Sequence, residues 1–150
     1  MADLDNHDVE TFRRIVVAYD GSEGARRSLD VALALADRVG AELHAVAVEG
    51  HLPHYGATVG EVQEELEVER TEAAAALTDA RKLAEAAGVA VKTEVVAGHP
   101  AHAIIEAAKA ANADLIVIGH AGRSGVWGVL PGGTAERVSR HAPCSVLIVR

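Results

Sequence analysis

The sequence predicts an α/β domain built on a doubly wound, five-stranded parallel sheet, and three observations carry that prediction. Short apolar runs alternate with segments of helical period from one end to the other. Most of those runs are apolar on both faces, as strands covered by helices on both sides are. Glycine stands where strands and helices must stop, at Gly21, Gly40, Gly88 and Gly98. At 150 residues, 49% of them apolar, the chain has the length and the core material of one domain.

The elements follow in order. Residues 14–20 (RIVVAYD) form a β-branched run that halts at Gly21. Ser22 is placed to cap a helix whose Ala25, Leu29, Ala32, Leu33, Ala36 and Val39 share one face, and Gly40 closes it. Residues 42–48 (ELHAVAV) give the second strand, followed by a loop at 50–60. A long helix is expected over 61–87, with Leu66, Ala73, Leu77, Ala80, Leu83, Ala84 and Ala87 inward and Gly88 at its end. Its opening turns hold Glu61, Glu64, Glu65, Glu67 and Glu69, the charge sign that a helix N-terminus favours and most simply a solvated face.

Residues 89–96 make the third strand, Gly98 turns the chain, and Pro100 stands in the first turn of a helix that buries Ile104, Ile105, Ala108 and Ala111. Residues 114–119 (DLIVIG) form a fourth strand that is apolar on both faces and belongs at the sheet centre. A glycine-rich loop spans 119–133. A helix runs from Thr134 to about His141, and Pro143 separates it from a last strand at 145–149. Right-handed crossovers then give the order 3-2-1-4-5, with helices on both faces. The winding reverses between strands one and four, so a ligand is expected outside their carboxyl ends, between the turn after Asp20 and the loop after Gly119.

Composition narrows the partners. Asp and Glu number 22 against 14 Lys and Arg, a net charge of −8, which repels polyanions and disfavours nucleic acid. Aromatics are 3% of the residues, too few for a surface on which bases stack. The lone Cys144 excludes an internal disulfide and a four-cysteine zinc site, and fits a reducing, cytoplasmic setting. Residues 1–12 carry Asp3, Asp5, Asp8 and Glu10, with neither the basic nor the apolar part of a signal peptide; they read as a disordered acidic tail ahead of a domain at 13–150. No run approaches the roughly 18 apolar residues of a membrane span.

The loop GHAGRSGVWGVLPGG has glycines at 119, 122, 125, 128, 132 and 133. Glycine lets backbone approach a ligand and aim successive N–H groups at it, and the helix starting at Thr134 adds the positive end of its dipole. That chemistry suits phosphate. A plain surface loop is the alternative, and position at the winding reversal favours the phosphate reading. Residues 128–134 (GVLPGGT) lack the lysine of the GxxxxGK[ST] phosphate loop, GRSGV lacks the last glycine of GxSxG, and no GxGxxG follows the first strand. A Walker-type NTPase, a serine hydrolase and a dinucleotide fold are thereby disfavoured.

Gly119, Gly122 and Gly132 fit G-x2-G-x9-G, and with IVVAYDGSEGARRSLDVALALA, GHPAHAIIEAAKAANADLIVIGHAG and AERVSRHAPCSVLIVR they make nearly the whole chain resemble the universal stress proteins. The resemblance implies the adenine nucleotide alpha hydrolase-like fold, a homodimer formed through the C-terminal strand, and binding of ATP, with or without Mg2+. It implies a site in which Ala18 and Asp20 lie near base and ribose, and Val48 offers its backbone to adenine. Gly119, Gly122, Arg123, Gly132, Gly133 and Thr134 surround ribose and phosphates. The chain departs from the ATP-binding pattern at Gly133, where serine or threonine is usual, with Thr134 one place later.

Other readings of these residues stand beside those. Asp20 is either a ligand carboxylate or the residue that hydrogen-bonds its own turn. A receiver-type phosphoacceptor needs a second Asp after the third strand, where AGHP stands. His51 with His54, and His99 with His102, have a spacing that suits shared coordination but nothing completes either set, so they read as exposed histidines and no metal is expected. Arg123 meets phosphate or solvent, Trp127 packs or contacts a dimer partner, and Cys144 is an inert thiol. No acid-base pair or nucleophile emerges, which argues against an enzyme and leaves slow ATP hydrolysis as the weakest of three readings; the function that the resemblance implies is a nucleotide-dependent stress-response protein. The alternative is a dimeric interaction module of the same fold that binds no nucleotide.

Overall fold

A computed structural model describes residues 11–50, 58–120 and 133–150. The elements are β1 (Arg14–Ala18), α1 (Glu23–Val39), β2 (Glu42–Glu49), α2 (Val59–Ala86), β3 (Val91–Ala97), α3 (Pro100–Ala110), β4 (Leu115–Gly119), α4 (Thr134–His141) and β5 (Ser145–Val149). All strand pairs are parallel, in the order β3-β2-β1-β4-β5. This is the doubly wound sheet that the sequence predicts. No described helix is long and apolar enough to cross a membrane.

Alternation along the strands divides the core into two layers. Ile15, Val17, Leu43, Ala45, Ala47, Leu115 and Val117 pack beneath α1 and α2 with Leu29, Leu33 and Leu77. Val16, Val46, Ile116 and Ile118 pack beneath α3 and α4 with Ile104, Ile105 and Val138. Ile15, Val16 and Val17 are at most 1% exposed, which is why β1 carries no polar position between its ends. Phe12 also packs against the first layer, so the folded part reaches back into the segment read as tail. At the opposite edge, Leu147 and Ile148 of β5 are 38% and 36% exposed.

Several boundaries differ from the sequence reading, each for a local reason. β1 stops at Ala18 and not at Asp20: the Asp20 carboxylate accepts the Ser22 N–H at 2.9 Å, and Gly21 turns the chain at φ +78°. α2 starts at Val59 and not at Glu61, because Thr58 and Glu61 form a capping box. The Thr58 N–H donates to Glu61 Oε2 at 2.8 Å, and these bonds hold the Glu61 carboxyl below its usual pKa. At the other end Ala87 is an exposed C-cap, not an inward residue. Val89 donates its N–H to Ala84 O at 2.9 Å, which closes the helix and delays β3 to Val91. Leu66, Leu83, Val39 and Ala111 are half-buried, at the margins of the faces assigned to them.

Candidate functional site

The carboxyl ends of β1 and β4 are neighbours, joined by the register Val17↔Val117, and both chains leave the sheet there. After β1, the Asp20 carboxylate shapes the turn and Ser22 caps α1, accepting the Ala25 N–H at 3.2 Å. Asp20 therefore does hydrogen-bond its own turn. That bond uses Oδ1.

Val48 gains a position from topology alone. Val46 O accepts the Tyr19 N–H at 2.9 Å on the β1 side, while Glu49 O accepts the Gly98 N–H at 3.3 Å on the β3 side. Peptide groups two residues apart in a strand face the same neighbour, so the N–H and C=O of Val48 face the side of β1 beyond the point where β1 has turned away. Ala18 is half-buried at that same end.

Gly119 closes β4 under close packing. A Cβ placed on it would meet Gly24 O at 3.0 Å, Gly24 C at 3.1 Å and Ser28 Oγ at 3.1 Å. The first turns of α1 thus lie directly against the end of β4, which only a residue without a side chain permits. Ser28 is fully buried and donates to Gly24 O at 2.9 Å, so its hydroxyl is satisfied within the helix. The sequence reading assigned Gly119 to the ligand and passed over Gly24 and Ser28. Small residues one turn apart on α1 were the available signal.

The helix beyond the loop begins at the cap Gly133, with φ −56° and ψ 162° and no side-chain cap bond. Among the described residues no side chain caps the first-turn amides of α4, and the positive end of its dipole is of the sign that attracts an anion. Among the described residues nothing lies within 4 Å of a Cβ built on Gly133. α3 starts with His99 and Pro100, again without a side-chain cap, and an Arg137 guanidinium N–H on α4 lies 3.1 Å from His99 Nε2. That link ties the two helix starts together. Gly122, Arg123 and Gly132, with Trp127, His51 and His54, lie outside the described residues.

Tyr19 was read only as part of the first strand, yet it anchors α2 to the site. Its ring is 2% exposed and its hydroxyl donates to Asp79. Burial first, then the Asp79 carboxylate, pushes the phenol well above its ordinary 10.0. A raised folded pKa means that this contribution to stability is complete below pH 10 and is lost as pH rises above it. Tyr19→Phe is expected to cost about 1 kcal/mol near neutrality, since Asp79 is exposed and returns to water. Urea denaturation at pH 7 and at rising pH checks both parts, and the variant should lose less stability above pH 10 than the parent does.

Cys144 sits partly buried at the start of β5, and burial together with the Asp114 carboxylate pushes its thiol up, away from the reactive thiolate. Among the described residues no group of three or more His, Cys, Asp or Glu is arranged to hold a metal ion.

Comparison with known proteins gives this geometry a family. Residues 11–150 match the universal stress protein family. Universal stress protein MJ0531 of Methanocaldococcus jannaschii is 36% identical over 140 residues, which are 93% of this chain and 82% of that one. Among solved structures, universal stress protein UspA from Lactobacillus plantarum superposes with a TM-score of 0.82 at 31% identity, covering 92% of this chain and 97% of that one. A universal stress protein in complex with cAMP has a TM-score of 0.73 at 30% identity, covering 93% and 98%. The universal stress protein from Archaeoglobus fulgidus in complex with dAMP has 0.68 at 26%, covering 93% and 99%. With a family match over residues 11–150 and a relative 36% identical over 93% of its length, this chain belongs to the universal stress protein family.

Proposed function

We propose that the chain binds an adenine nucleotide, ATP foremost, at the carboxyl ends of β1 and β4, and that nucleotide occupancy governs its part in a cytoplasmic stress response. The observation that carries this reading is a pair of backbone features at the carboxyl end of the sheet: the Val48 peptide groups facing past the end of β1, and the start of α4, whose N-cap Gly133 brings no side chain. Relatives in complex with cAMP and dAMP support the same ligand class. In this reading Ala18 and Asp20 flank base and ribose, and Val48 meets adenine. Gly122, Arg123, Gly132, Gly133 and Thr134 serve ribose and phosphates. Gly119 contributes through its peptide groups, since its Cα lies against α1. Mg2+, where present, is held by the phosphates rather than by a protein cage. The role in this proposal is binding: among the described residues no group at these strand ends has the placement of a nucleophile or general base.

Two copies pair through β5 in this proposal, because the edge strand presents Leu147 and Ile148 to solvent. One set of measurements tests both parts. ATP, with or without Mg2+, is expected to raise the melting temperature, since only the folded chain presents these amides together. AMP and cAMP report how much the base and first phosphate contribute. No shift with any of the three at millimolar concentration would remove the nucleotide reading and leave the interaction module. A monomer by light scattering would remove the pairing.

A further inference from the structure

The bond between His99 and Arg137 fixes the protonation state of the histidine. His99 has the extended backbone of an N-cap, φ −65° and ψ 129°, and its carbonyl accepts the Ala103 N–H at 2.8 Å, yet its ring caps nothing. The ring is turned across to α4, where an Arg137 guanidinium nitrogen lies 3.1 Å from Nε2. A guanidinium has N–H donors and no acceptor, so the bond exists only when Nε2 carries no proton and the ring proton sits on Nδ1. A neutral imidazole therefore holds Arg137.

Positive potential gathers around that bond. Side chains lean toward the N-terminus of their own helix, so Arg137, one turn into α4, reaches back to the level of the two helix starts. The first turn of α3 holds no acidic residue, and the one in α4, Glu136, accepts from Arg140 at 2.8 Å. Farther along α3, Glu106 pairs with Lys109 at 3.1 Å, and exposed His102 carries no formal charge when neutral. On the strands beneath, Glu49 faces Arg70 at 3.6 Å and Glu94 is exposed. Among the described residues neither His99 nor Arg137 has a second side-chain partner, and both are exposed.

We propose that Arg137 is a phosphate-binding residue of the nucleotide site and that His99 governs its release. In the ligand-free protein the neutral ring holds the guanidinium. When a nucleotide polyphosphate reaches the start of α4, His99 takes a proton from solvent, the bond to Arg137 breaks, and both side chains face the phosphates as cations. The inference rests on the nucleotide reading above and names the regulation of that site. Two cations beside two helix starts repel one another without ligand and are stabilised by a phosphate chain between them. Proton uptake and nucleotide binding then favour each other by the same factor. ATP binds more tightly as pH falls, and gains more from acidification than AMP, which brings less charge.

The test titrates the full chain with ATP by calorimetry at about pH 8 and about pH 6, on either side of the range in which histidine acts as a switch. The terminal phosphate of ATP takes up a proton in the same range, so the result is read as a difference between variants. His99→Gln keeps an acceptor for Arg137 but cannot be protonated, and His102→Gln is the control. The parent and His102→Gln should tighten on acidification about fivefold more than His99→Gln does, the low end of ordinary coupling because both side chains are exposed. Arg137→Gln should bind ATP several-fold more weakly at the lower pH and lose the same excess. Titrations in buffers of different ionisation heat should show more protons taken up per ATP by the parent than by His99→Gln. Ring-nitrogen NMR of the ligand-free parent at the higher pH should place the His99 proton on Nδ1. An equal pH response of parent and His99→Gln, with ATP still bound, would overturn the proposal and leave the nucleotide reading standing. So would a response that is lost in His102→Gln instead, or a His99 proton on Nε2. No ATP binding by the parent at either pH would remove the nucleotide reading and this proposal with it.

Discussion

Replacing Gly119 by alanine is expected to lower the stability of the ligand-free protein by about 1–3 kcal/mol, the usual range for overpacking a tight interior contact. The new Cβ would stand 3.0 Å from Gly24 O and 3.1 Å from Gly24 C, backbone atoms that move only if the start of α1 moves. Ser28 Oγ at 3.1 Å cannot swing away freely, because it is fully buried and already donates to Gly24 O. For a domain of this size the loss corresponds to a fall of several degrees in melting temperature. Moving α1 also moves the Asp20 turn that leads into it, so the nucleotide-induced shift should shrink as well. Thermal melts with and without ATP separate the two roles of this glycine. Unchanged stability without ligand, together with a lost nucleotide shift, would return Gly119 to a ligand contact and nothing else.

That outcome bears on how far a sequence alone discloses such a site. Strand order, the winding reversal and the flanking turns were legible because they follow from local periods and from the handedness of crossovers, both short-range properties. The start of α1 at Ser22 and its end at Gly40 were legible for the same reason: each depends on one residue's conformation or hydrogen bond. The start of α2 was equally local, since Thr58-x-x-Glu61 is a capping box, but the glutamate-rich turns that follow it drew the boundary two residues late.

What escaped the sequence was contact between elements distant along the chain. Tyr19 meets Asp79 sixty positions later, and Arg137 meets His99 across the gap between two helices. Gly119 shows the same limit more sharply. A glycine in a glycine-rich loop looks like a place for phosphate, and nothing local reveals that Gly24 and Ser28 lie against its Cα. By contrast Val48, assigned by resemblance, acquires a physical basis from register. Its peptide groups face past the end of β1 because β1 is the shorter strand, five residues against eight.

Gly133→Ser is the substitution expected to strengthen the site. Position 133 has φ −56° and ψ 162°, which any residue adopts, and no described residue lies within 4 Å of a new Cβ, so serine enters without backbone strain. It is the N-cap of α4, where serine accepts a backbone N–H from the first turn; relative to glycine this should add a few tenths of a kcal/mol to stability. Capping uses the hydroxyl as an acceptor, and its proton remains available for a phosphate oxygen. The variant should therefore bind ATP about 3 to 30 times more tightly, equivalent to about 0.7–2 kcal/mol from one charge-assisted hydrogen bond. Calorimetric titration of both proteins, with a melt of each in the absence of nucleotide, distinguishes the contributions. A gain in stability with no gain in affinity would mean that the hydroxyl caps α4 while the phosphates lie elsewhere. Weaker binding would mean that capping takes from the ligand an amide it needs, and the ligand would then be held by the helix start itself rather than by the residue before it.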